Sequence, residues 1–189
     1  MTSSPSDTDS ALPVVENRTP PGARRLGVFT TAALAVYVLD VISKIVVVEL
    51  LAGGPPIQLL RGLFTLRLVR NPGAAFGIGV DMTLAFTAIA ALVIAVILRS
   101  ARRLRSVPWA VALGMLLGGA AGNLTDRIFR APAVFRGHVV DFLELPHWPV
   151  FNVADSAIVL AGVLMVVLSF RGVHPEGDED LGVSARPAP

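Results

Sequence analysis

Four long apolar runs constrain this chain more than any other feature of its sequence. They are Leu26 to Leu51, Met82 to Leu98, Trp109 to about Leu124, and Val153 to Phe170. A helix needs roughly 17 to 25 mostly apolar residues to cross a bilayer, where nothing but the helix itself can satisfy its backbone N–H and C=O groups. All four runs fit that demand, the third with help from its flanks. The expected class is therefore an all-α integral membrane protein with four transmembrane helices. Composition agrees, with 53% hydrophobic and only 16% charged residues, where a soluble domain would carry about 25% charged.

Arginines set the orientation, because positive residues stay on the cytoplasmic side. Arg24 and Arg25 precede the first run, Arg99, Arg102, Arg103 and Arg105 crowd the second connection, and Arg171 follows the fourth run. Both termini are expected in the cytoplasm, against the contrary signal of Arg61, Arg67 and Arg70 in the first outer loop. The net charge of +2 is dispersed between apolar runs and forms no basic face for nucleic acid. Residues 1–25 read as a disordered cytoplasmic arm, 26–172 as the membrane domain and 173–189 as a disordered, acidic cytoplasmic tail. With no cysteine, disulfides, thiol nucleophiles and thiolate metal sites are all excluded.

The outer segments carry the polar groups. Pro55 to Gly79 alternates in part, as a short half-buried hairpin does, and predicts a small extracytoplasmic β-sheet. Arg127 to Phe151 is expected to form a short extracytoplasmic helix or loop, with Pro146 and Pro149 preventing a smooth run into the fourth span.

Several residues stand where they cost free energy. Asp40 and Lys44 lie inside the first apolar run, four apart and so on one helix face, where an ionised side chain costs about 2.5–3.5 kcal/mol on insertion scales. Lys44 is the sole lysine of the chain. A pair that merely ties helices together explains them as well as a place beneath a site. Gly118 to Gly122 permit close helix packing before Asn123, Asp126 and Arg127, which share a face and read equally as helix termination or as site residues. Asn71, Pro72 and Gly73 form a turn signal at the head of NPGAAFGIG, alternatively a surface for an extended peptide. Asp155 lies in the first turn of the fourth run, with Asn152 as a candidate cap, an arrangement that needs no catalysis. Asp141 is flanked by Val139, Val140, Phe142 and Leu143, a setting expected to raise its pKa, although Glu144 nearby also suits a solvated loop. Two acids on either side of a Pro-rich bend can converge and share a proton, one acting as base on water and the other as acid on a carbonyl. His138, His147 and His174 show no metal-ligand spacing, so no metal is expected.

In order along the chain, DVISK at Asp40–Lys44, NPGAAFG at Asn71–Gly77, GNLTDR at Gly122–Arg127, VVDF at Val139–Phe142 and FNVADS at Phe151–Ser156 resemble the lipoprotein signal peptidases, or signal peptidase II. That resemblance implies an aspartic endopeptidase with Asp141 and Asp155 as catalytic dyad. It implies substrate contacts at Asn71, Asn123, Arg127 and Asn152, and structural support from Asp40, Lys44, Gly73, Gly122 and Asp126. It further implies prolipoprotein substrates carrying a diacylglyceryl-cysteine, contact with membrane lipids, inhibition by globomycin-type compounds, no cofactor, and a monomer in the bacterial cytoplasmic membrane. The connection from Arg127 to Asp141 is longer than the family pattern, with Arg130 to Arg136 as the insertion. A proton- or ion-coupled transporter is the rival reading, and predicts charges spread through the bilayer depth. A scaffold or assembly factor is the third, and leaves both aspartates replaceable.

Overall fold

The computed structural model describes residues 24–73 and 83–177. In chain order the elements are α1 (Leu26–Leu51), β1 (Ile57–Leu59), β2 (Phe64–Asn71), α2 (Thr83–Ala101), α3 (Val107–Phe129), β3 (Val139–Glu144) and α4 (Val153–Phe170). The protein is a helical membrane protein with one small sheet. Helices α2, α3 and α4 are each long and apolar enough to cross a membrane. Helix α1 is longer, at 26 residues, and buries Asp40 and Lys44 within it.

Helix α3 is central and packs on α1, α4 and α2. The reason is its small-residue stripe. A Cβ at Gly114 would strike the Phe29 carbonyl and Ala32, one at Gly118 would strike Val36 at 2.8 Å, and one at Gly119 would lie 2.7 Å from the Ala154 carbonyl. Glycines four apart thus bring the α1 backbone against α3, and Gly119 brings α4 against the adjacent face. Below that contact Phe29, Ile97, Ala101, Leu104, Ala110 and Leu113 form an apolar cluster. The outward faces remain apolar, with Leu39, Leu92, Val159 and Phe170 exposed, as lipid contact requires.

Helix α3 outruns the expected third span by five residues, so Asp126 and Arg127 remain helical instead of ending the helix. Gly137 allows this close: a Cβ there would meet the Arg130 carbonyl at 2.8 Å and the Arg127 carbonyl at 3.0 Å, and its N–H caps the latter at 2.9 Å. The expected hairpin is present as β1 and β2. The second outer segment departs from expectation. Beyond the end of α3 at Phe129 its core is a strand, β3, and among the described residues it contains no further helix. Pairing with β2 accounts for this, since β3, whose Val139 to Phe142 are all buried, completes a sheet of order β1-β2-β3, antiparallel throughout. Val47 and Leu51 of α1 pack beneath Val140 and Phe142, which seats the sheet on the end of the helix bundle.

The terminal expectations fall mostly outside the described residues, as does the peptide-surface expectation for residues 74–79. At their edges, Arg25 N–H donates to the Leu104 carbonyl at 3.0 Å, and Trp109 Nε1 donates to the Val173 carbonyl at 2.8 Å.

Candidate active site

Sheet register builds the first half of the site. Val69 stands opposite Asp141, and Asn71 lies two residues further along β2 on the same face, within diagonal reach of a cross-strand neighbour. Asn71 Nδ2 accordingly donates to Asp141 Oδ2 at 2.9 Å, while its Oδ1 accepts the Gly73 N–H at 2.8 Å. Gly73 has φ +119, and a Cβ there would sit 2.6 Å from the Phe86 ring. Only glycine holds that turn open, and the turn fixes which way the Asn71 amide faces.

The chain then returns along β3. Leu143 and Phe151 exchange backbone hydrogen bonds at 2.8 and 2.9 Å, which carries Asn152 back beside Asp141. Asn152 is wholly buried and caps α4. Its Oδ1 accepts the Asp155 N–H at 2.9 Å, and Asp155 Oδ2 accepts the Asn152 N–H at 3.2 Å, a reciprocal capping box. The same side chain donates to Asp141 Oδ1 at 2.7 Å and to Asn123 Oδ1 at 3.2 Å. One residue therefore ties both acids together. Asn123 completes the ring, donating from Nδ2 to Asp155 Oδ1 at 2.8 Å.

Beneath lies a buried charge cluster. Lys44 Nζ is 2.7 Å from Asp40 Oδ2 and 3.0 Å from Asp126 Oδ2, and donates to Asn123 Oδ1 at 2.9 Å. Asp40 Oδ1 accepts the Ala154 N–H at 2.9 Å, so a side chain from α1 serves as a second cap for α4. Asp126 Oδ2 accepts the Val140 N–H at 3.1 Å, and its other oxygen pairs with Arg130. A Cβ at Gly122 would run into the Asp40 carboxylate. Between them these bonds join α1 to α3, α1 to α4 and α3 to β3, so the cluster fixes the helix ends relative to β3.

Asp141 is 2% exposed, and burial pushes its carboxyl up to about 6 from 3.8. The Asn71 hydrogen bond opposes that rise and the Asp155 charge adds to it. The direction is the one expected from desolvation, and Glu144 pairs with Arg67 at 3.1 Å.

Arg127 stands differently. Its guanidinium lies 5.8 Å from the Phe86 ring and within electrostatic reach of Asp141, Asp155 and Asp126. Its Nη1 is buried and has no partner among the described residues. An unmatched buried donor beside two carboxyl groups is a place for a ligand acceptor.

All eleven residues singled out in the sequence surround this cluster. The three asparagines expected to contact substrate donate to the carboxyl groups, Asn71 and Asn152 to Asp141 and Asn123 to Asp155. Arg130 was missed as Asp126's partner, although the i, i+4 spacing from Asp126 signals it. Ala154 and Val140, which contribute backbone N–H groups, carry no sequence signal for that role. The charges gather in one place rather than spreading through the helices, as a transporter reading requires.

The arrangement defines a helical membrane protein built around a linked pair of carboxyl groups. Its sequence matches the family model described as Signal peptidase (SPase) II over residues 32–171, and the chain belongs to that family; it is a protease. It is 56% identical over 156 residues to the lipoprotein signal peptidase of Streptomyces coelicolor, covering 82% of this chain and 76% of the relative. Against the lipoprotein signal peptidase of Mycobacterium tuberculosis the identity is 47% over 165 residues, covering 87% of this chain and 82% of the relative. A solved bacterial membrane enzyme shares the fold with a TM-score of 0.71 at 23% identity, over 81% of this chain and 93% of that one.

Proposed function

We propose that the protein is an aspartic endopeptidase that removes the signal peptide of diacylglyceryl-modified prolipoproteins, cleaving before the lipid-bearing cysteine. The observation that carries this reading is Asn152, which binds Asp141 through its side chain and Asp155 through its cap, and so holds two carboxyl groups in one polar ring. Buried Asp141 is the member that holds the shared proton. Asp155 accepts a proton from water as the water oxygen attacks the scissile carbonyl carbon, and Asp141 gives its proton to the carbonyl oxygen. The tetrahedral intermediate collapses as Asp155 returns its proton to the leaving amine nitrogen and Asp141 recovers its own. Peptide bond and water are thereby exchanged for acid and amine with no other reactant.

Asn71, Asn123 and Asn152 orient the acids, and Arg127 Nη1 is the group that meets a substrate carbonyl. Asp40, Lys44, Gly73, Gly122 and Asp126 hold the site in shape. We place α1 as a fourth span, both termini in the cytoplasm and the sheet at the outer face of the bacterial cytoplasmic membrane, a reading supported by Arg24, Arg25, Arg99, Arg102, Arg103 and Arg105 at the far end of the bundle. At that depth a diacylglyceryl-cysteine, anchored in the outer leaflet, presents its scissile bond to the dyad. Globomycin-type inhibitors are expected to bind at the same carboxyl pair, and a monomer suffices because one chain supplies the whole ring.

Purified protein assayed on a diacylglyceryl-modified precursor tests the proposal. Asp141→Asn and Asp155→Asn are expected to insert and accumulate while losing cleavage. Parental turnover by either variant sinks the dyad.

A further inference from the structure

The end of the bundle away from the aspartates carries a cavity. At about 1.5 Å per residue along α3, Trp109 and Leu113 in its lining stand roughly 15–21 Å from Asn123, which holds Asp155. This cavity, of about 670 Å³, is lined by Arg99, Arg102 and Arg103 together with Val96, Trp109 and Leu113. An adjoining one of about 240 Å³ adds Arg24 and Arg105. Against five guanidinium groups the two cavities have one carboxylate, Glu176. Among the described residues none of the five arginines is in an ion pair.

The walls are fixed. The Pro175 carbonyl accepts from both Arg105 N–H and Ser106 N–H, at 2.9 and 3.1 Å, and Trp109 Nε1 binds the Val173 carbonyl. The segment after α4 is thereby pinned across the start of α3. Val96, 55% exposed, continues the cavity onto the lipid-facing side of α2. Retention of arginines on the cytoplasmic side explains their number but not a pocket that sets guanidinium groups beside apolar and aromatic side chains, one of them exposed on α2.

We propose that this pocket binds an anionic phospholipid, its phosphate on Arg99, Arg102 and Arg103 and its upper acyl chain along Val96, Trp109 and Leu113. A basic pocket between helix ends at the membrane surface selects such headgroups by charge, and its apolar side chains select an amphiphile over a free anion. A zwitterionic lipid offers the same chain but cancels the charge.

Trp109 is itself the probe. In a Trp148→Phe background it is the remaining tryptophan of the chain. The full chain is reconstituted in phosphatidylcholine vesicles containing a small fraction of either brominated phosphatidylglycerol or brominated phosphatidylcholine. Phosphatidylglycerol is expected to quench Trp109 at several-fold lower mole fraction. Arg102→Gln with Arg103→Gln is expected to abolish that preference, since one arginine near the surface contributes up to roughly fivefold at low salt, while leaving proteolysis at the parental rate. Equal quenching by the two lipids, the result if the chain's own carboxylates close the pocket, overturns the proposal without reference to any variant. So does relief of quenching by excess inorganic phosphate, which marks a free-anion site, and so does an undiminished preference in a folded double variant.

Discussion

Lys44 donates to Asn123 at 2.9 Å across 79 positions of sequence, and that bond joins the buried charges of the bundle to its carboxyl pair. With Oδ1 occupied by the ammonium, the Asn123 amide has one orientation left, and its Nδ2 faces Asp155. A neutral side chain thus passes the placement of a buried cation on to an acid in another helix. Lys44 makes a hydrogen bond to neither Asp141 nor Asp155, so any effect it has on the carboxyl pair is one of position.

Removing the cation should therefore harm folding first. Lys44→Met leaves Asp40 and Asp126 buried without their shared partner, and breaking a buried pair by one member costs about 3–5 kcal/mol. Unfolding in mixed micelles on addition of a denaturing detergent should show a loss of that size. A loss under about 1 kcal/mol would mean that the cluster does not hold the helices.

Asn123→Ala separates position from stability. It deletes a hydrogen bond to Asp155, of the kind worth about 1.5–3 kcal/mol when one partner is charged, which corresponds to roughly 10–100-fold in rate. The fall is expected in kcat with KM nearly unchanged, because the amide faces the acid and not the substrate. A rise in KM alone would instead return Asn123 to the substrate surface.

The helices were legible because length and hydropathy decide them: α1 and α4 begin and end at the residues where the apolar runs do. The acids were legible too, since charge inside an apolar run demands a partner, and Asp40 with Lys44 supplied one at i, i+4. Strand β3 was not. Its four buried residues alternate with nothing, and only pairing with β2 makes a strand of them. The direction of each asparagine amide was equally hidden, because Asn71 is turned by a glycine two residues on and Asn123 by a lysine from another helix. Local sequence carries neither.

Two glycines on neighbouring helices give a contrast in packing. Gly122→Ala pushes a methyl group into the Asp40 carboxylate and hence against the Lys44 pair, so a loss of about 1–3 kcal/mol is expected from overpacking. Gly162→Ala in α4 meets nothing within 4 Å and should be neutral or gain up to about 1 kcal/mol from helix propensity. Side-by-side unfolding of the two variants checks the sign. Equal behaviour would show that α1 and α3 are not in the close contact described.

Acidity offers the most direct reading of Asp141. Its folded carboxyl is pushed up to about 6 from 3.8 by burial, so the folded state holds this proton more tightly than the unfolded chain does. The corresponding stabilisation is present in full below the unfolded value and is lost as pH rises through about 6, a swing of about 3 kcal/mol at most. Parental protein should therefore gain stability on acidification across that window, and Asp141→Asn should flatten the gain. Because the Asp155 charge contributes to the rise, Asp155→Asn should lower the Asp141 midpoint as followed by its carboxyl carbon resonance. A midpoint unmoved by that substitution would place the two acids in separate electrostatic surroundings, and a proton could not then be shared between them.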